Sequence, residues 1–399
     1  MALLKPATLV TTLGRDPEAQ LGAVNPPVYR ASTVLYPTLD ALQNVRREHG
    51  RMYYGRYGTP TTFALQDAIA ALEGAHGTIV VSSGAAAIAT SLLAFVSQGD
   101  HVLIADNVYE PSRRFCGRVL QRFGVAATFY DPLIGAGIDA LFTPKTRAIL
   151  IEAPGSLTFE MPDVRALAAA ARARGVASIM DNTWATPIYC RPLSLGIDVS
   201  VQSATKYIGG HSDLMMGVIS ANKATFETVR ASFIDLGQSV SPEDCSLALR
   251  GLRTMAVRLA RHFETGIKLA TWLAARPEVV RVMHPALPDD PGHALWKRDF
   301  TGASGLFSAV LQPTSRRALA AFVDDLQLFG MGYSWGGFES LALPSDPAKT
   351  RSAVPWSAPG PLIRFHAGLE DPGDLIADLD AAFARRAAAE AAAPEPTES

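Results

Sequence analysis

Short apolar runs recur through the middle of the chain, several of them separated by helical stretches, and this alternation points to an α/β fold. The runs are GTIVVSSG at 77–84, HVLIAD at 101–106, AATFYD at 126–131, RAILIEAP at 147–154, ASIMDN at 177–182, DVSVQSA at 198–204 and MMGVISA at 215–221. TTFALQDAIAALEGA precedes the first run with helical spacing. AAAIATSLLAFVSQ is helical and stops at Gly99, a C-terminal cap, and PDVRALAAAARARG is a third helical stretch. Apolar strands alternating with helices predict a mostly parallel sheet covered on both faces.

The 399 residues exceed one small core and divide into three regions. Residues 1–58 mix proline pairs with scattered aromatics and read as an extended arm. Residues 59–252 carry the alternating pattern and form the large domain. Residues 253–399 open with the helix TMAVRLARHFETGIKLATWLAA and continue with strands GLFSAVL and LIRFHAG, a smaller C-terminal α/β domain that ends in a polar, proline-containing tail expected to fray. A net charge of −2 gives no basic surface for nucleic acid or an anionic membrane. The N-terminal segment lacks a secretory core, and no apolar run reaches the length of a membrane span. Cys116, Cys190 and Cys245 are far apart and form no CxxC pair, which excludes a thiolate zinc site and suits a reducing compartment, the cytoplasm. His211 and Asp213 lack a third ligand, so no metal is expected.

Two strand ends hold chemistry-bearing residues. ASIMD ends in Asp181, and DVSVQSATK ends at Lys206 beside two glycines. In a parallel sheet both ends lie on one edge, where ligands of open α/β sheets bind. Taken alone, either residue is better explained by an ordinary ion pair or a solvated strand end. A third element changes that balance. SSGAAA joins a strand to a long helix, and small residues at a helix start let backbone N–H groups approach an anion. No GK[ST] follows, so this is not a nucleotide P-loop. A phosphate cradle, a strand-end aspartate and a strand-end lysine together suit pyridoxal phosphate, with the lysine as its Schiff-base partner and the aspartate holding the pyridine nitrogen protonated.

YGRYGTPT at 54–61, SSGAAA at 82–87, DNVYEPSRRFC at 106–116, DNTWATP at 181–187, SATKYIGGHSD at 203–213, SWGGFESL at 334–341 and LIRFHAGLED at 362–371 extend this pattern over nearly the whole chain. In that order they resemble the pyridoxal-phosphate enzymes of cysteine and methionine metabolism, of the aspartate-aminotransferase-like fold type I. SWGGFESL is similar to the β-lyase branch, the cystathionine β-lyases of methionine biosynthesis. A broad cysteine-S-conjugate β-lyase, a γ-lyase or a γ-synthase of the same fold is the nearest alternative, and a cofactor-bearing regulatory protein without turnover is the alternative from another class.

The resemblance implies a role for each motif. Lys206 would carry the cofactor and move the Cα proton, Asp181 would pair with the pyridinium, and Tyr109 would stack on the ring. Gly84 and Ala85 would give backbone N–H groups to the phosphate, with Ser203 and Thr205 adding hydroxyls. Tyr54 and Arg56 would reach the phosphate of a neighbouring subunit, which implies a homodimer with shared sites, paired into a tetramer. Arg364 would grip the substrate carboxylate through a bidentate fork, with Ser334 and Trp335 closing over it. Structural pairing of Arg364 with an acid, and plain packing of Trp335, are the alternatives. Tyr57 and Arg114 stand where the best-known enterobacterial relatives carry a second arginine and an acid. Arg114 is therefore expected to touch the far end of the thioether, with an indifferent solvent-facing position as the alternative.

Overall fold

A computed structural model describes residues 4–392; the end of the tail expected to fray lies outside them. The larger of two sheets contains β1 (Gly77–Val81), β2 (His101–Ala105), β3 (Ala126–Tyr130), β4 (Thr146–Glu152), β5 (Ala177–Asp181), β6 (Val199–Ser203) and β7 (Gly217–Ala221), in the order β1-β7-β6-β5-β4-β2-β3. The β2 to β6 pairings are parallel, and β7 runs antiparallel to both of its neighbours, β1 and β6. Every residue of β1, β2 and β7 is buried, as a strand covered on both faces requires. The covering helices start where capping chemistry permits. Pro60 opens Pro60–Glu73, the Ser83 hydroxyl accepts from the Ala86 N–H at the start of Gly84–Leu93, and Asp163 accepts from the Ala166 N–H at the start of Val164–Ala173. Leu103, Ile104, Ile149 and Ile179 at the centre of the sheet are fully buried, each contributing roughly 1.5–3 kcal/mol.

The second sheet holds β8 (Val279–Met283), β9 (Leu306–Leu311), β10 (Phe329–Gly330), β11 (Ser340–Ser345) and β12 (Leu362–His366), in the order β10-β11-β12-β9-β8. β10 pairs parallel with β11; the other pairings are antiparallel. Sequence reading finds only β9 and β12 here. β8 is an edge strand with exposed residues, β10 has two residues, and β11 runs into Pro344, so none carries a clean apolar run.

One helix, Pro242–Ala274, joins the two sheets. Cys245, Leu249, Leu252 and Leu259 on its first half pack with Leu65 and Ile69, and Leu269 and Leu273 on its second half pack under the small sheet. The helix reaches further toward the N-terminus than the stretch read from sequence and runs through Gly251. Gly251 is a point of close approach: a Cβ there would lie 2.2 Å from the Ile208 carbonyl oxygen. Among the described residues before 59 there are two short α-helices, Pro6–Thr12 and Leu39–Gln43, and one 3-10 turn, Gly55–Tyr57. The first docks on the long helix, where Arg253 donates to the Val10 carbonyl at 3.0 Å. Among the described residues no helix is long and apolar enough to cross a membrane.

Candidate active site

The C-terminal ends of β2, β4, β5 and β6 open into a cavity of about 630 Å³, whose far wall comes from the second sheet and its loops through Tyr333, Ser334, Trp335, Arg351 and Arg364. This is the edge where a parallel sheet leaves a crevice for a ligand. Lys206 enters it three residues past β6. Its Nζ donates to Ser334 Oγ at 2.6 Å and lies 5.4 Å from the centre of the Trp335 ring. Burial, and then the charge of Arg364, push its pKa from 10.5 to about 8, with Asp181 pulling the other way. Lowering the pKa this far raises the neutral share of the amine near neutral pH by more than two orders of magnitude over an ordinary lysine, to roughly a tenth, and the neutral amine is the form a nucleophile or base needs.

Asp181 ends β5 on the same edge. Its Oδ1 accepts from the Thr183 N–H at 2.9 Å and from the Thr183 hydroxyl at 2.5 Å. Burial raises its pKa, offset by those bonds and by Lys206. Arg364 reaches the cavity from the middle of β12, where it stands opposite Ser308 and Leu343. It donates to the Ser334 carbonyl at 3.0 Å, and burial pushes its pKa down to about 10. Among the described residues no carboxylate forms an ion pair with it, so a half-buried fork of donors faces the cavity, open to an anion.

Gly84 and Ala85 start a ten-residue helix and line the cavity opposite Ser203 and Thr205. Their N–H groups belong to the first turn, which has no intrahelical acceptors. Gly84 must be glycine, since a Cβ there would lie 2.7 Å from the Ser203 Cβ.

Residues 7–384 match the family described as Cys/Met metabolism PLP-dependent enzyme. The chain is 46% identical to Cystathionine beta-lyase MetC of Escherichia coli over 96% of its own length and 100% of that protein. It is 45% identical to the Cystathionine beta-lyase of Salmonella typhimurium over 95% of its length and 98% of that protein. Among solved structures it is similar to a cystathionine gamma-lyase from Lactobacillus plantarum complexed with L-serine, with a TM-score of 0.88 and 32% identity over 96% of this chain and all of that one.

The chain belongs to the Cys/Met metabolism PLP-dependent enzymes.

The site of this PLP-dependent enzyme fits its cofactor, pyridoxal 5'-phosphate. A lysine with a lowered pKa could supply the amine, the Asp181 carboxylate, without a close cation among the described residues, could take the ring nitrogen, and a helix start narrowed to glycine, facing two hydroxyl residues, could hold a phosphate. Tyr109 lines the same cavity at the start of helix Glu110–Phe115, and burial, then Glu152, raise the pKa of its phenol.

Tyr54, Arg56, Tyr57 and Arg114, all singled out in the sequence, stand apart from this cavity in their own chain. Tyr54 is exposed, and Arg56 turns to the Ile234 carbonyl at 3.0 Å and the Tyr57 hydroxyl at 2.8 Å. Arg114 lies on the outer side of its helix and pairs with Glu110 at 3.3 Å; Glu110, not Arg114, lines the cavity. Its neighbour Arg113 turns inward, stacks over Phe129 and binds Asp106 at 2.6 Å.

Sequence reasoning passed over Glu152 and the Asp106–Arg351 pair. Glu152 ends β4 directly beside Asp181, and its Oε2 accepts from the Tyr109 N–H at 2.7 Å. Burial and the Asp181 charge hold its pKa well above the usual carboxylate range. The signal was present, an acid closing an apolar run as at Asp181. Asp106 closes β2 and accepts from the N–H groups of Ser352, Ala353 and Val354 as well as from Arg351 at 3.1 Å. It ties the loop between β11 and β12 to the end of β2 at the cavity. Arg351 sits in a loop without pattern, so its sequence carried no signal.

Proposed function

We propose that this enzyme cleaves the Cβ–S bond of L-cystathionine, consuming water and releasing homocysteine, pyruvate and ammonia, a step of methionine biosynthesis. The observation that carries the reading is the meeting of Lys206, Asp181 and an Arg364 without an acidic partner in one cavity. The names of the relatives direct it to cystathionine and to β-elimination. Bound cofactor supplies an electron sink, which makes the Cα proton acidic at neutral pH. The chain supplies the rest. Arg364 takes the α-carboxylate in a bidentate grip and fixes the amino acid by its one constant end. Lys206 Nζ takes the Cα proton, and its lowered pKa keeps the amine available. Asp181 holds the ring nitrogen in its charged form, and Tyr109 covers the ring. Gly84, Ala85, Ser203 and Thr205 hold the phosphate. Ser334 orients the Lys206 amine from the small domain, with Trp335 as a wall. Loss of the thiol leaves 2-aminoacrylate, which water converts to pyruvate and ammonia.

The same proposal includes a homodimer, associated further into a tetramer, in which Tyr54 and Arg56 serve the phosphate of the neighbour. Leu21, Val24, Val28 and Leu35 on the arm are exposed apolar side chains that suit burial against a second copy. Arg114 acts at the far end of the substrate by holding Glu110 at the cavity rim. Three buried, free cysteines suit the cytoplasm. The test is product analysis with purified holoenzyme and L-cystathionine. Pyruvate and homocysteine in equal amounts are expected. Formation of 2-oxobutyrate and cysteine would instead mark γ-elimination, and absence of turnover would mark a non-catalytic protein.

A further inference from the structure

The Ser334–Gly336 segment that meets Lys206 is gripped by two side chains of one strand. Arg364 and His366 are two apart on β12 and so project from the same face. Arg364 donates to the Ser334 carbonyl at 3.0 Å, and His366 Nε2 accepts the Gly336 N–H at 3.0 Å. The other ring nitrogen, Nδ1, lies 3.1 Å from the Glu339 carbonyl oxygen. A carbonyl only accepts, so Nδ1 carries the proton and Nε2 the lone pair. Only the neutral imidazole in that tautomer makes both bonds. The ring is buried, with His262 5.2 Å away centre to centre, and burial followed by the His262 charge holds its pKa well below the ordinary value.

The segment needs such a grip. Ser334 has φ 74° and Gly336 has φ 89°, in the left-handed region that serine disfavours. A Cβ on Gly336 would lie 3.0 Å from the Lys206 backbone, so this loop runs directly against the lysine. Ser334 Oγ then accepts from Lys206 Nζ. Arg364 is also the proposed cation for the substrate carboxylate, so its donors are shared between that anion and the Ser334 carbonyl. His366 has no such second duty.

We infer that His366 is a positioning residue: as the neutral Nδ1–H tautomer it fixes the Gly336 N–H, and so keeps Ser334 and Trp335 on Lys206 while Arg364 takes up the substrate. This rests on the proposed roles of Lys206 and Arg364.

Two amide substitutions of His366 separate its two bonds. In His366→Asn the short side chain puts its amide nitrogen near the place of Nδ1, so it can still donate to the Glu339 carbonyl but leaves the Gly336 N–H bare. In His366→Gln the longer side chain brings its oxygen to the place of Nε2 and restores an acceptor for that N–H. Hydrogen exchange of the holoenzyme, read on peptides spanning residues 333–338, is expected to speed up at least about tenfold in His366→Asn and to stay within about threefold of the parent in His366→Gln, because a bare buried N–H loses its protection. With L-cystathionine, kcat should fall by roughly the same factor in His366→Asn while KM changes less, and the visible band of the bound cofactor should shift as Ser334 leaves Lys206. Equal exchange in both variants, or parental exchange in His366→Asn, overturns the inference. The exchange arm needs no turnover, so if L-cystathionine is not a substrate the proposed function fails while His366 is still judged.

Discussion

Lys206 shows how a fold makes a surface-loving residue reactive. Its amine sits behind Ser334 and Trp335 and near the Arg364 charge, and these surroundings bring its pKa to about 8. Only the neutral amine captures an aldehyde, so cofactor uptake by the apoenzyme should track that titration. The rate of visible-band growth on adding pyridoxal 5'-phosphate is expected to climb about tenfold per pH unit below the pKa, and to level off above about 8. A rate still climbing at the ordinary lysine value would show that burial does not tune this amine. Lys206→Ala should give no such band, and borohydride reduction of the parent holoenzyme should label Lys206. At this scale the sequence was informative where a residue closes a strand, as at Asp181, or follows one closely, as at Lys206, three residues past β6. It was silent where a charge is set by partners far along the chain, as at Arg351 with Glu160 and Asp106.

Helix Pro60–Glu73 illustrates what an element can hide. Its last residue, Glu73, is buried against β6, where its Oε1 accepts from the Ser200 hydroxyl at 2.9 Å and the Gln202 amide at 2.6 Å. Burial raises its pKa from 4.5 to about 7, in spite of those bonds. Between these values the folded chain holds a proton that the unfolded chain has released. The stabilising contribution of that proton is therefore fully present below the unfolded value and is lost as pH rises through the folded one. Glu73→Gln stays neutral at all pH and keeps the accepting oxygen. Thermal unfolding should find the variant more stable than the parent above neutrality, by at most about 3 kcal/mol, with the difference vanishing near the unfolded value. A variant that is less stable across the whole range would show that Glu73 is ionised and paired. The helix itself was legible from its spacing. The buried acid at its end was not, because a terminal glutamate before Gly74 reads as a solvated cap.

At the scale of the whole molecule, the cavity is a joint product of two sheets, and the arm before residue 59 is left with apolar side chains in the open. If Arg56 serves the neighbouring site, protomers with Arg56→Ala and protomers with Lys206→Ala are each defective, yet a mixed dimer contains one site with both residues intact. After subunit exchange in equal amounts, roughly a quarter of the parental activity is expected, because half of the dimers are mixed and each has one sound site. No recovery once exchange is demonstrated by mass would place Arg56 in its own chain's structure, where it already bonds Ile234 and Tyr57.

The alternation of apolar runs and helices by itself determined the parallel sheet, since a strand buried on both faces has no other composition available to it. Motif order determined the family, and the strand pattern placed Asp181 and Lys206 at one edge of the sheet, because the C-terminal edge of a parallel sheet is the same place whatever the rest of the chain does. Tertiary structure alone decided which way side chains turn on a short helix, so that Arg113 went inward to Asp106 and Phe129 while Arg114 stayed outside with Glu110. It alone decided that Gly251 is a packing contact within a continuous helix. It alone brought Ser334, Arg364 and His366 to Lys206, across more than a hundred residues of chain. The physical reason is range. Periodicity and strand ends are written in neighbouring residues, whereas desolvation and hydrogen-bond partners belong to positions that meet only when the chain has folded.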